Sequence, residues 1–184
     1  MNKTIIISSP SGCGKDTIVR SLLSIIPNSK KIITCTTRRK REGEVHGVSY
    51  YYVSRKEFLD KIENNEFIEW QDVHGELYGT LKSEFNSDSE VSFLIIDVLG
   101  AKRIQKLITN KKILIFLKPP SKEELMKRIM KRSTESEDDA LKRLERYEME
   151  MEASNLFDVV VENDVLEDSI SKIKSIIEHD KLFK

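Results

Sequence analysis

The residues best equipped for chemistry lie near the start of the chain, in Ser9-Pro10-Ser11-Gly12-Cys13-Gly14-Lys15-Asp16-Thr17. An apolar run, Thr4 to Ile7, precedes them, and Ile18, Val19, Leu22 and Leu23 follow at helical spacing. A strand, a glycine-bearing turn and a helix N-terminus make an anion cradle: backbone N–H groups converge, the helix dipole favours negative charge, and Lys15 adds a point charge. The strict phosphate-loop pattern G-x-x-x-x-G-K-[ST] would have Gly at Ser9 and Ser or Thr at Asp16. The meaning of the segment therefore rests on the rest of the chain.

The elements that must position this loop read as α/β. The 184 residues are 39% hydrophobic and 34% charged, enough for one domain with a sizeable core. Thr4–Ser8 reads as a buried strand, Lys15–Ile26 as a helix closed by Pro27, and Lys31–Cys35 as a second strand. From Thr37 to Glu84 the texture changes. Gly43, Gly47, Gly75 and Gly79 recur among Tyr50, Tyr51, Tyr52, Trp70 and Tyr78, around a helix at Ser54–Asn64 with Ser54 and Glu57 as a capping box. This predicts an α+β insertion. The α/β rhythm then resumes with an apolar run at Val91–Asp97, a helix at Gly100–Ile108 and a strand at Ile113–Leu117. Ser121 starts a helix to about Lys131, a charged helix spans Glu135–Ala153, a last strand covers Val159–Val161, and Leu166, Ile170, Ile173 and Ile177 space a closing helix. Buried strands joined by helices imply a parallel sheet covered on both faces, with ligands at the carboxyl ends of its strands.

Composition excludes several classes. Lysine plus arginine and aspartate plus glutamate both number 31, so bulk charge does not support nucleic-acid binding. No apolar run approaches a membrane span, and the N-terminus lacks a signal-peptide layout. Cys13 and Cys35 form no disulfide or metal framework, which points to a reducing, cytoplasmic setting. His46, His74 and His179 have no metal spacing.

Taken together, Thr36-Thr37-Arg38, Arg41-Glu42-Gly43-Glu44-Val45, Gly47, Tyr50, Phe67-Ile68-Glu69-Trp70, Gly75 and Tyr78-Gly79-Thr80 resemble the nucleotide-monophosphate segment of guanylate kinases. Ile96-Asp97, Gly100-Ala101, Pro119-Pro120-Ser121, Arg132, Thr134-Glu135-Ser136-Glu137, Arg143 and Asn163-Asp164 extend the resemblance over nearly the whole chain in one order. It implies a P-loop nucleoside monophosphate kinase. The core would be 1–36, 85–121 and 154–184, the GMP-binding insertion 37–84, and a helical lid 122–153. The implied reaction is ATP + GMP = ADP + GDP with Mg²⁺ on the ATP.

The resemblance also implies roles. Lys15 and the surrounding Ser9–Thr17 loop would hold ATP, with Asn163 on the adenine side. Arg38 and Arg41 suit the acceptor phosphate through bidentate guanidinium contacts; Tyr50 and Tyr78 add hydroxyls, and Thr34 stands where the family usually has Ser. Glu69 would accept the N1–H and 2-amino donors of guanine, helped by Thr80, while adenine would leave it unpaired. Asp97 would contact the acceptor nucleotide, and Arg132 and Arg143 would be lid arginines that stabilise the transferring phosphoryl group.

Three positions depart from the pattern: Asp16 in the loop, Ile95 where an acid is usual, and Leu99 where Gln is common. One hypothesis makes Asp16 the replacement for the carboxylate absent at Ile95, holding Mg²⁺ directly or through water. The competing one makes Asp16 a helix N-terminal acid. Two further readings stay open: a kinase of another phosphorylated acceptor, such as a ribose bisphosphate, and a guanylate-kinase-like interaction module without catalysis.

Overall fold

The computed structural model describes residues 2–73, 75–86, 88–130, 146–179 and 182–183. In chain order these form β1 (Lys3–Ser8), α1 (Lys15–Ile25), β2 (Ser29–Lys31), β3 (Cys35–Thr36), β4 (Tyr51–Tyr52) and α2 (Arg55–Glu63). Then come β5 (Phe67–Val73), β6 (Glu76–Leu81), β7 (Val91–Ile95), α3 (Val98–Leu107) and β8 (Lys111–Lys118). The chain closes with α4 (Lys122–Met130), α5 (Tyr147–Glu152), β9 (Val159–Glu162) and α6 (Leu166–Glu178).

Ile5, Ile6 and Ile7 are all fully buried, because β1 is the middle of a five-stranded parallel sheet ordered β2-β7-β1-β8-β9. Strand alternation sends Ile5 and Ile7 to one face, against Ile18 and Leu22 of α1, Leu125 and Ile129 of α4, and Ile173 and Ile177 of α6. Ile6 points to the other face, against Ala101 and Ile104 of α3. This is the covered parallel sheet the sequence predicts, with the glycine-bearing loop at the carboxyl end of its central strand. Among the described residues no helix is long and apolar enough to cross a membrane.

The insertion is a second sheet, ordered β4-β3-β6-β5, packed on α2 through Phe58, Phe67, Leu77 and Cys35. A β-carbon at Gly79 would lie 2.8 Å from the Phe67 ring and 3.0 Å from Phe58, so only glycine admits this packing. Ser54 and Glu57 cap α2 reciprocally, as expected.

The strand expected at Lys31–Cys35 is corrected. Ser29–Lys31 pairs with β7 in the core, whereas Cys35–Thr36 pairs with β4 and β6 in the insertion. Between them the backbone changes partners. Ile32 donates to the Phe93 carbonyl at 2.8 Å, and Thr34 accepts from Tyr51 at 2.9 Å. The Glu84 carboxylate takes the Ile33 amide at 2.9 Å and the Tyr51 hydroxyl at 3.0 Å. One β-like run thus serves two sheets, and the insertion's sheet begins at Cys35 rather than after residue 36. Helix α3 also starts earlier than expected, because Asp97 caps it by accepting from the Gly100 amide at 2.8 Å.

Candidate active site

Gly12 and Gly14 adopt positive φ, +93° and +90°, and turn β1 into α1. Lys15 folds over this turn. Its ammonium donates to the Ser9 carbonyl and Ser9 Oγ, both at 2.9 Å, and to the Pro10 carbonyl at 3.4 Å. Ser9, in the place of the strict pattern's glycine, therefore supplies an acceptor. Burial pulls the Lys15 pKa down, and the charges of Glu150, Cys13, Asp16 and Asp97 oppose that pull. Cys13 is fully buried and its thiol lies 3.5 Å from the Leu117 carbonyl. Burial pushes its pKa up, so it packs the loop and is not activated as a thiolate.

Asn163, expected on the adenine side, is 5% exposed, and both ends of its amide are engaged. It donates to the Cys13 carbonyl at 2.6 Å and accepts from Ser169 Oγ at 3.0 Å, so it props the loop from below. Asp16 opens α1, with its side chain 58% exposed and Lys31 Nζ 3.0 Å away. The same ammonium lies 5.7 Å over the Tyr50 ring, which puts Asp16 between the phosphate loop and the insertion.

The insertion gathers a cationic pocket. Arg38 lies 5.6 Å from the Tyr50 ring and 5.9 Å from Tyr52, and Tyr50 meets Tyr78 edge-on at 6.1 Å. Arg38 binds Glu44 with Nη2 at 2.8 and 3.0 Å. Glu44 also accepts from the Arg41 amide at 2.8 Å and the Tyr52 hydroxyl at 2.7 Å. Burial alone would raise the Glu44 pKa, but these donors hold it at about 2. Thr34 lies in the link between the sheets and is buried.

Two residues along β6 from Tyr78, on the same face, Thr80 donates to Glu69 Oε1 at 2.7 Å. The register that allows this follows a bulge between Phe67 and Glu69, which sets Glu69 opposite Thr80. Glu69 is 7% exposed, and its Oε2 has no partner among the described residues. Burial raises its pKa to about 7 against the Thr80 bond. Its neighbour Trp70 points the other way, 41% exposed, with Arg103 donating to its carbonyl at 2.8 Å. A groove that Leu99 and Leu107 also line takes in both Trp70 and Glu69.

Asp97 joins the two halves. It accepts from Gln71 Nε2 and, at 3.2 Å, from Arg146 Nη2. Arg146 Nε lies 3.9 Å from Glu150, one turn further along in α5. Glu150 is 6% exposed, and burial, helped by the charge of Asp97, raises its pKa to about 7 against the charges of Lys15 and Arg146 and the Ser11 backbone.

The structure therefore brings Lys15, Asp16, Asp97 and Glu150 near one another, and groups Arg38, Tyr50 and Tyr78 with Glu69 and Thr80 on the insertion. Arg132 and Arg143 lie outside the described residues. Sequence reasoning assigned no role to Glu44, Tyr52, Gln71, Arg146 or Glu150. Tyr52 was within reach, because strand alternation puts it on the face of Tyr50. Arg146 and Glu150 read only as one more i,i+4 charge pair on a charged helix; nothing local marks them as buried. Among the described residues no three His, Cys, Asp or Glu side chains gather as a metal site.

A family model described as Guanylate kinase matches residues 1–180. The guanylate kinase of Thermotoga maritima is 40% identical over 180 residues, covering 96% of this chain and 86% of that protein. That of Mesomycoplasma hyopneumoniae strain J is 44% identical over 187 residues, covering 96% and 94%. The crystal structure of guanylate kinase from Anaplasma phagocytophilum superposes with a TM-score of 0.79 at 30% identity, over 96% of this chain and 85% of that one. A phosphate loop on a parallel sheet, an inserted cationic pocket and full-length likeness to these proteins agree: the chain belongs to the guanylate kinase family and is a nucleoside monophosphate kinase.

Proposed function

We propose that this chain transfers the γ-phosphoryl group of ATP to the phosphate of GMP, giving ADP and GDP. The single observation that carries the choice of acceptor is Glu69: a buried carboxylate with one oxygen held by Thr80 and the other without a partner among the described residues. Guanine presents two adjacent donors to such a group, whereas adenine presents an acceptor at N1.

An acceptor phosphate has a second pKa of about 6 and is largely dianionic at neutral pH, so it needs no general base. What it needs is charge compensation and alignment. Arg38 and Arg41 supply the charge, and Tyr50 and Tyr78 supply hydroxyl donors. Thr80 and Glu69 seat the base two residues along the same strand face, about 7 Å from the phosphate end. Lys15 would leave its loop carbonyls for the donor's phosphates, which the Gly12–Gly14 turn cradles with backbone amides. Asn163 and Ser169 keep that turn in shape from below. Arg132 and Arg143 are assigned to the transferring group when the lid closes.

Mg²⁺ bound by nucleotide phosphates keeps much of its water and takes one or two protein carboxylates. Asp16 fits that demand: an exposed carboxylate at the start of the loop helix, balanced by Lys31. The ion would supply charge neutralisation between donor phosphates. Asp16→Asn should shift the Mg²⁺ concentration that half-saturates activity; an unchanged requirement would leave Asp16 as a helix N-terminal acid only.

The test of the reaction is ADP release with GMP, AMP, CMP and UMP as acceptors. Turnover confined to GMP is expected. Preference for a non-guanine acceptor would overturn the assignment of Glu69, and no turnover with any acceptor would favour an interaction module. On the same reading we place this reaction in the cytoplasm, within purine nucleotide metabolism.

A further inference from the structure

Glu44 is given no role by the guanine or phosphate contacts described above, yet among the described residues it is the most heavily bonded carboxylate of the insertion. Its position starts from local sequence. Arg41-Glu42-Gly43-Glu44 closes a turn in which the Glu44 amide donates to the Arg41 carbonyl at 3.2 Å, and Gly43 takes φ +78°. Nothing lies within 4 Å of a β-carbon built at Gly43, so this glycine is required by the left-handed turn and not by crowding. The turn folds the Glu44 carboxylate back over the Arg41 amide, 2.8 Å from Oε2. Arg38 Nη2 reaches both oxygens, and the Tyr52 hydroxyl reaches Oε2 from β4. Three points of the pocket, from the end of β3, the turn and β4, converge on one side chain.

Resting on the reading of Arg38 as a ligand of the acceptor phosphate, we propose that Glu44 is the positioning residue of that phosphate clamp. Its carboxylate fixes the Arg38 guanidinium and the Arg41 turn before the acceptor arrives. A guanidinium has five N–H donors. Glu44 engages Nη2 and the Arg39 carbonyl takes Nη1 at 2.7 Å, while Nε is outside these bonds. Arg38 can therefore keep Glu44 and still offer Nε–H to a phosphate oxygen, with Nη1 joining once it leaves the Arg39 carbonyl. A long, flexible arginine loses rotamer freedom when it binds; here that ordering is done in the folded protein, so less is lost on binding. The arrangement also separates positioning from competition. A stand-in anion would be displaced by the phosphate, but two of the donors that hold Glu44, a backbone amide and Tyr52, belong to the scaffold.

Glu44→Gln retains size but sets an NH2 group against Arg38, the Arg41 amide or the Tyr52 hydroxyl. The expected result is a rise of tenfold or more in KM for GMP, a smaller fall in kcat, and KM for ATP within twofold of the parent. Glu44→Asp, which keeps the charge but shortens the reach, should fall between the two. In an Arg38→Gln background, Glu44→Gln should add less than threefold, because its main client is already gone. Tyr52→Phe removes one donor only and should raise KM for GMP two- to threefold at unchanged KM for ATP, which keeps the test open if Glu44→Gln does not fold. An unchanged or lowered KM for GMP in Glu44→Gln would overturn the proposal, the lowered value being the mark of a competing anion. Effects of Glu44→Gln and Arg38→Gln that multiply in full would overturn it too. If Arg38→Gln itself leaves KM for GMP unchanged, the phosphate-clamp reading is what fails.

Discussion

At the scale of single residues, the site contains two buried carboxylates whose environments differ in kind from that of Glu44. Glu69 has one hydrogen-bonded oxygen and one without a partner among the described residues, and burial lifts it to about 7. A ligand that donates to both oxygens needs the anion. Guanosine, which carries no titrating phosphate, should therefore bind about tenfold more weakly at pH 6 than at pH 8, the ratio of ionised Glu69 at a pKa near 7. A flat guanosine titration curve over that range would place the base elsewhere. Glu69→Gln meets two guanine donors with one acceptor and one donor, and should lower kcat/KM for GMP by about 10²–10³, roughly 3–4 kcal/mol. Steady-state kinetics with saturating ATP reads this directly. The chemistry of Glu69 was legible in sequence, because its carboxylate stands at the right distance from Tyr78 and Thr80. The burial of Glu69 was not, since its neighbour Trp70 is 41% exposed and only the paired strands decide which of the two is covered.

At the scale of elements, two devices are separable. Helix α2 begins with a reciprocal capping box, Ser54 with Glu57, at 3.2 and 2.7 Å. Ser54→Ala should lower stability by about 1 kcal/mol, read as a shift in the urea midpoint, with kcat little changed because α2 packs behind the insertion's sheet. The phosphate loop depends on a contact 150 residues away in sequence, from Asn163 at the end of β9 to the Cys13 carbonyl. Asn163→Ala leaves that buried carbonyl unpaired, a cost of about 1–3 kcal/mol. It should raise KM for ATP several-fold while KM for GMP holds. Equal changes in both would mean that the loop's shape does not depend on Asn163. The helix cap was visible as Ser-x-x-Glu in sequence. The Asn163 prop was not, because its partner is a backbone carbonyl that no sequence pattern marks.

At the scale of the whole molecule, Glu69 and Glu150 are acids whose pKa values burial raises from 4.5 to about 7. The folded state binds their protons more tightly than the unfolded chain does. Their stabilising contribution is complete below about pH 4.5 and is lost as pH rises through 7. The melting temperature should therefore fall between pH 5 and pH 8. Glu150→Gln should flatten part of that fall, since it removes one of the two titrating groups; an unaltered slope would show that Glu150 does not titrate there. Glu150 also lies within electrostatic reach of Lys15, and Arg146 pairs with Asp97 at 3.2 Å, so α5 and the residue before it set charge beside both the phosphate loop and Asp97.

The sequence by itself determined the covered parallel sheet and the loop between β1 and α1, and it named Lys15, Arg38, Tyr50, Glu69, Tyr78 and Thr80 as the candidate site residues. The sheet and the loop are written in local periodicity and turn residues, and the cast of side chains is what the resemblance to guanylate kinases implies. Only the tertiary structure decided where the chain passes from one sheet to the other, because Lys31–Cys35 is β-like throughout and the change of partner is made by Phe93, Tyr51 and Glu84 from distant elements. It alone decided that Asn163 supports the loop, that Glu150 is buried beside Lys15, and that Glu44 gathers Arg38, Arg41 and Tyr52. Burial and hydrogen-bond convergence are properties of how elements pack, and the charge of a side chain in sequence does not say which other charges it will meet.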